Sequence, residues 1–203
     1  MEFAIIVAGV FVALAAETWW SEREERQFER EIREDMIVEF EANIRILDAD
    51  ITENEEARNR IGMLDDLNDD ALLALDDSNI SEQLVPYLQW AGFDPEIGSI
   101  QAFIENGNVG AISDRQLRLL LSRWSGLLVK NRRVNLQAVD FQHIAVQPLV
   151  ARASSDQVWS SGERRELRAL LSYLLTLQGF VLDNQRELRE AATDILTFLR
   201  DEH

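Results

Sequence analysis

The sequence predicts an all-α fold: an N-terminal transmembrane helix that continues into an elongated antiparallel helical bundle. Only 3 prolines and 9 glycines interrupt the 203 residues, and apolar residues recur at steps of three and four rather than in strand-like alternation. The chain also begins with an apolar run, Phe3–Ala16, that leads into a strongly charged sequence. We therefore expect an anchor at residues 1–20 and a helical bundle domain at residues 21–203.

The first segment has the length of a membrane span. Phe3 to Trp20 is 18 residues, or about 27 Å of helix at ~1.5 Å per residue, against a hydrocarbon core of about 30 Å. Trp19 and Trp20 fall where an interfacial aromatic belt is expected. Two other interpretations stay open. Residues 13–15 could be a signal-peptide cleavage site, although no basic residue precedes the apolar run, and the run could be a buried core helix.

Small residues give this segment a surface that another transmembrane helix can approach closely. Ala4, Gly9 and Ala13 recur at spacings of four and five, and Gly9-x-x-x-Ala13 is close to a known helix-packing motif. Small residues are also common in membrane spans in general, so the motif alone is weak. We predict that Ala4, Gly9, Ala13, Trp19 and Trp20 form the membrane-anchoring and helix-packing surface.

Acidic charge is concentrated just after this segment. The net charge is −17, and residues 17–77 hold 21 acidic against 7 basic side chains. Nucleic acid and anionic lipid headgroups are poor partners for such a surface. Acidic residues often only solvate an exposed helix, but a basic soluble protein is a second candidate partner. We assign that contact to Glu24, Glu25, Glu29 and Glu31.

The remaining apolar positions predict further helices. A stripe from Phe28 to Ile51 weakens after Thr52, so the first helix either runs unbroken to about Leu67 or bends near residues 48–50. Ser113-x-x-Gln116 and Ser160-x-x-Glu163 have the form of capping boxes that begin two more long helices. Short helices are expected at residues 81–90 and 95–107.

Catalytic and metal-binding motifs are weak. The absence of cysteine excludes disulfides, thiolate metal sites and cysteine nucleophiles. His143 and His203 have no clustered partners in the sequence, and a packed or surface His143 is expected. Residues Asp66–Asp77 match four ligand positions of a calcium loop, but Ala71 stands where that loop needs glycine. We predict that the protein is not an enzyme and has no cofactor and no metal site.

Two blocks of sequence carry a family resemblance. Residues 2–10 with Trp19-Trp20, and residues 100–107 with 112–118, resemble a family of uncharacterised bacterial single-pass membrane proteins. The resemblance implies a cytoplasmic N-terminus and a helical domain on the other side of the membrane, but no site residues, because the family has no assigned activity. The basic stretch that usually precedes the span in this family is missing here, and three arginines soon after the span favour the opposite orientation.

Three classes of function are compatible with these features. The first is a non-catalytic accessory or structural subunit that binds and stabilises a larger membrane protein complex, of respiratory or photosynthetic type, through its anchor and its bundle. The second is an envelope sensor with a ligand-responsive helical domain. The third is an enzyme with an unrecognised site. We favour the first, in the bacterial inner membrane with a periplasmic domain.

Overall fold

The computed structural model describes residues 2–67, 69–74, 92–96, 98, 112, 114–148, 151 and 160–201. Over these residues the fold is helical, which confirms the all-α prediction. The elements are α1 at Glu2–Asp65, α2 at Asp69–Ala74, α3 at Arg115–Phe141, a π-helical turn at Gln142–Val146, and α4 at Ser161–Asp201. The helix predicted at residues 81–90 and most of the one at 95–107 lie outside the described residues.

Helix α1 is continuous over 64 residues, or about 96 Å at ~1.5 Å per residue. The helix is therefore uninterrupted through residues 48–50, as the first of the two alternatives predicts. Neither glycine nor proline occurs between Gly9 and Gly62, so no residue in that stretch lacks a backbone donor or favours a non-helical conformation.

Helix α4 runs antiparallel to the second half of α1. Arg200 contacts Glu41 near one end, Arg186 Nη2 lies 2.7 Å from Glu55 Oε1 in the middle, and Ser172 Oγ donates to Asp65 Oδ1 at 2.8 Å near the other end. The ion pairs are about half exposed, so each contributes little energy. Their value here is that they define the register of the two helices.

Helix α3 is also antiparallel to α4 and is therefore parallel to α1. Arg123 Nη1 lies 3.1 Å from Asp194 Oδ2, and Lys130 Nζ lies 2.6 Å from Glu187 Oε2. The three long helices thus form one bundle in which α4 packs against both of the others.

Two apolar clusters fill most of this bundle. The first, which we call the apolar layer, centres on Trp124, whose ring packs edge-on against Phe40 with 5.3 Å between centroids. Its other buried members include Met36, Leu47, Leu117, Leu121, Leu188, Ala192, Ile195 and Leu199. The second, the distal cluster, comprises Ile61, Leu64, Val146, Leu167, Leu171 and Leu174.

The two predicted capping boxes have different outcomes. Before α4, the Ser160 backbone N–H donates to Glu163 Oε2 at 2.8 Å and the Glu163 N–H donates to Ser160 Oγ at 3.3 Å, which confirms the prediction. Before α3, the capping residue is Asp114 rather than Ser113: its Oδ1 accepts from the Leu117 N–H at 2.8 Å. A carboxylate at this position also complements the positive end of the helix dipole.

The first half of α1 extends beyond the bundle. Helix α4 ends at Asp201, next to the residue that pairs with Glu41, and Met36 is the first buried residue among the α1 side chains that the structure describes. We call residues 2–31 the α1 extension. Among the residues whose side chains the structure describes, no helix carries a stretch both long enough and apolar enough to cross a membrane.

Candidate functional site

The site residues predicted from the sequence all lie on the α1 extension. The described side chains among them, at Ala13, Trp19, Trp20, Glu24 and Glu31, are exposed. The backbone at Ala4, Gly9, Glu25 and Glu29 belongs to α1, and their side chains lie outside the description. The structure therefore places these residues along one helix, on a segment that α3 and α4 do not cover.

The tryptophan pair forms an exposed aromatic surface. Trp19 and Trp20 are 54% and 66% exposed, and Leu14 before them is 54% exposed. The guanidinium carbon of Arg23 lies 5.7 Å from the centre of the Trp19 ring, within the range of a cation–π contact. An exposed aromatic pair followed one turn later by an arginine is the arrangement found where a helix leaves the acyl region of a bilayer.

The acidic residues form a separate part of the extension. Glu24 and Glu31 are exposed, and Glu31 Oε1 accepts a hydrogen bond of 3.1 Å from Gln27 Nε2 one turn earlier. Exposed carboxylates on a helix attract cationic groups over about a Debye length, and the attraction weakens with added salt. Glu24 and Glu31 therefore present negative charge to the solvent on this part of the helix.

Inside the bundle, a second polar feature lies next to the apolar layer. Asn54 Nδ2 donates to Gln185 Oε1 at 3.0 Å, and both side chains are buried. Asn184 adjoins Gln185, and Asn131 follows Lys130, which pairs with Glu187. These four buried amides, Asn54, Asn131, Asn184 and Gln185, therefore lie at about the same height in the bundle, and we call them the amide layer.

Several polar atoms at or near this layer have no hydrogen-bond partner among the described residues. They include both side-chain polar atoms of Asn184 and of Gln178, together with Asn131 Oδ1. Asn184 is fully buried and Gln178 is 1% exposed. A buried amide without a partner costs about 1–3 kcal/mol, so such groups call for ordered water or a small ligand.

Two buried asparagines hold residues 92–96 against the bundle. Asn43 Nδ2 donates to the Glu96 carbonyl at 2.7 Å, and its Oδ1 accepts from the Glu96 N–H at 2.9 Å. Asn131 Nδ2 donates to the Phe93 carbonyl at 3.0 Å. The segment therefore lies between α1 and α3, and Phe93 adds its ring to the apolar layer 6.2 Å from that of Trp124.

Charged groups flank the amide layer on both sides. Burial, and then the nearby charge of Glu53, raise the pKa of Asp50 above its usual range. Arg58 Nη1 donates to the Leu175 carbonyl of α4 at 2.7 Å. The guanidinium occupies the space beside Gly179, where an added Cβ would lie 2.8 Å from Arg58 Nη1.

The amide layer was missed by the sequence reasoning, although a signal existed. The apolar stripe of α1 weakens after Thr52, that of α4 has a gap between Leu182 and Leu188, and that of α3 is interrupted at Asn131. Each gap alone is compatible with an ordinary solvated position. Only the antiparallel register shows that the three gaps coincide.

The other candidate chemistry gains no support from the geometry. Among the described residues no group of three or more His, Asp or Glu side chains is placed to hold a metal ion. Asn68 and Asp77 of the calcium-loop match lie outside the described residues, as does His203. His143 is exposed in the π-helical turn.

Comparisons with protein-family models, curated proteins and solved structures found no match to this chain. The resemblance to bacterial single-pass membrane proteins therefore stays a prediction, and function must be argued from the residues.

Proposed function

We propose that the α1 extension is a membrane anchor and that the protein is a non-catalytic accessory subunit of a larger membrane complex. One observation carries the proposal: the longest apolar run of the chain, Phe3–Ala16, lies on a continuous helix that projects beyond the bundle. The described part of this run, residues 13–16, is exposed, and an exposed apolar helix surface is a typical site of contact with lipid or other proteins.

Two further features support an anchored accessory role. Trp19, Trp20 and Arg23 have the composition and exposure of an interfacial belt. The acidic part of the extension follows directly and offers a docking surface for other subunits or for a basic soluble protein. The family resemblance adds a bacterial inner membrane with the bundle in the periplasm, and complexes of respiratory or photosynthetic type provide basic soluble partners for such a surface.

Membrane association tests the anchor. The full chain should resist alkaline extraction and float with liposomes, and the Val10→Arg variant should lose both properties, because arginine at a span centre costs about 2.5–3.5 kcal/mol for insertion. Met63→Arg, which changes a 72% exposed residue of the bundle, is the matched control and should still float. Release of the wild-type chain by alkali would refute the anchor.

Partner capture tests the accessory role. Gentle detergent extraction followed by mass spectrometry should recover the chain with other membrane subunits. Neutralising the four acids together, with Glu24→Gln, Glu25→Gln, Glu29→Gln and Glu31→Gln, should weaken a salt-sensitive association. Recovery of the chain alone from native membranes would contradict the proposal.

The amide layer favours a second candidate function, an envelope sensor. Near the Asn54–Gln185 hydrogen bond, amide groups that have no partner among the described residues offer both donors and acceptors to a small neutral polar molecule. Acetamide, as a probe of that chemistry, should raise the melting temperature of the wild-type chain more than that of Asn184→Leu. Equal shifts in the two proteins would argue against a sensor site here.

A further inference from the structure

Two exposed helix faces of the bundle have the same pattern, a charged residue at each end and two small or apolar residues between them, but the charges of the two faces are opposite. On α1 the face is formed by Asp35, Val38, Ala49 and Glu53. On α3 it is formed by Arg115, Leu119, Val129 and Arg133. All eight side chains are exposed, including Val38 at 65% and both Leu119 and Val129 at 61%. We call these the acidic face and the basic face.

The two faces match in spacing. Asp35 and Glu53 are 18 positions apart, and so are Arg115 and Arg133, which is about 27 Å of helix in each case. Two small or apolar residues lie between the charges on each face. At about 100° per residue, the four positions of either helix fall within an arc of about 80°. Each set therefore forms one narrow strip. On the acidic strip Ala42, between Val38 and Ala49, is only 9% exposed, so a partner helix would contact the exposed side chains on either side of it.

The charges of both faces lack an ionic partner among the described residues. Over the residues that the structure describes, Asp35, Glu53, Arg115 and Arg133 make no ion pair, whereas Arg123 and Lys130, on the adjoining surface of α3, pair with α4. Ser122 and Gly126 lie between the apolar residues of the basic face, and nothing lies within 4 Å of a Cβ built at Gly126. A partner helix can therefore approach the α3 backbone closely.

The faces also lie at nearly the same height. Arg189 of α4 contacts Asp48 of α1, and its neighbour Glu190 lies 3.8 Å from Arg123 of α3. Since α1 and α3 are parallel, the acidic and basic faces coincide in height to within about one helical turn. Two copies standing side by side in the same direction bring one copy's basic face opposite the other's acidic face.

We propose that the acidic face of one copy binds the basic face of a second copy of this chain. Arg115 then pairs with the second copy's Asp35 and Arg133 with its Glu53, while Leu119 and Val129 pack on Val38 and Ala49. The contact is heterologous, because each copy uses α1 towards one neighbour and α3 towards the other, so repetition gives a ring or a row. It involves only the bundle, and its parallel arrangement is compatible with anchors in one membrane.

Cysteine cross-linking tests the contact directly, because the native chain has no cysteine. Full-length Val38→Cys and Leu119→Cys proteins are mixed in detergent under mild oxidation. A disulfide between the two variants is expected, with little product from either variant alone. A mixture that gives no such product, or products only between identical variants, would overturn the proposal.

Charge reversal provides an independent measurement. R133E and E53R should each raise the dissociation constant for self-association about tenfold or more, because like charges then face each other. Mixing R133E with E53R should restore association, since opposite charges meet at both kinds of contact. R132E, on a different side of α3, and E166R on α4 change the charge equally and should leave association unaltered.

These outcomes are separable from the membrane proposal. If R133E and E53R associate as tightly as the wild type, the self-association proposal fails whether or not the chain floats with liposomes. If the chain is released by alkali but the mixed disulfide forms, the anchor fails and this contact stands.

Discussion

Phe40 and Asn54 lie on the same stripe of α1, about four helical turns apart, and both are buried in the same three-helix bundle. Phe40 packs against Trp124, and it belongs to a buried apolar cluster that also contains Leu188 and Ile195. Asn54 donates a hydrogen bond to Gln185, and the neighbouring Asn184 has no hydrogen-bond partner among the described residues.

The difference shows that burial has two consequences in one core. In the apolar layer burial is favourable in itself, because it removes carbon surface from water. In the amide layer burial is favourable only where a donor meets an acceptor, and it is costly elsewhere. The apolar layer thus provides stability, whereas the amide layer separates it from the distal cluster.

The largest expected effect comes from emptying the apolar layer. Phe40→Ala should lower the free energy of unfolding by about 3–5 kcal/mol, because it removes a fully buried ring and its edge contact with Trp124. Phe28→Ala makes the same change on the same stripe where the ring is 47% exposed, and should stay within about 0.5 kcal/mol. Urea unfolding followed by circular dichroism measures both, and similar losses would mean that the extension is packed.

Replacing asparagine by leucine in the amide layer should destabilise the chain at one site and stabilise it at another. Asn54→Leu leaves buried Gln185 without the partner seen here and should destabilise the chain by about 1–3 kcal/mol. Asn184→Leu removes two polar atoms that have no partner among the described residues, and should stabilise it by a similar amount. Denaturation midpoints decide the matter: destabilisation by both changes would show that Asn184 is satisfied by bound water.

Alanine substitutions at two glycines, Gly62 and Gly179, should change the free energy of unfolding by smaller and unequal amounts. Gly62→Ala meets open space and should stabilise by up to about 1 kcal/mol through helix propensity. Gly179→Ala places a methyl group against the Arg58 guanidinium and disturbs its bond to the Leu175 carbonyl, so it should fall short of Gly62→Ala by about 1–2 kcal/mol.

A double-mutant cycle assigns the cause of that shortfall. In an Arg58→Ala background the penalty at Gly179 should disappear. A penalty that persists there would implicate the α4 backbone instead of the guanidinium.

The smallest expected effect concerns pH at Asp50. Its pKa is raised in the folded state, so between the unfolded and folded values the folded chain binds more protons, and stability falls as pH rises through that window. Asp50→Asn abolishes this dependence, so its stability relative to the wild type should increase from acid to neutral pH by less than about 1 kcal/mol. Urea titrations of the two proteins at several pH values measure this difference.

The sequence was informative where the determinant is local. The continuity of α1 agrees with the absence of glycine and proline between Gly9 and Gly62, and the start of α4 follows from Ser160 and Glu163, three positions apart. The start of α3 was misplaced by one residue because Ser113 and Asp114 are both good caps, and only backbone geometry selects between them.

The candidate site was less accessible from sequence for a physical reason. The exposed positions of Trp19, Trp20, Glu24 and Glu31 follow from composition along one helix. The amide layer and the two charged faces depend on the register between helices that are more than 50 positions apart in sequence. That register is set by the sum of many side-chain contacts, and no short motif encodes it.

Because α1 is continuous, the number of its residues determines both the distance and the relative rotation between its two ends. Each residue of α1 before Asn54 adds about 1.5 Å of length along the helix axis and about 100° of rotation around that axis. Removing seven residues after Trp20 would bring the bundle about 10 Å closer to the start of α1 and would leave its orientation around the helix axis almost unchanged. Removing two residues would change that distance little, but it would rotate the bundle to face nearly the opposite direction.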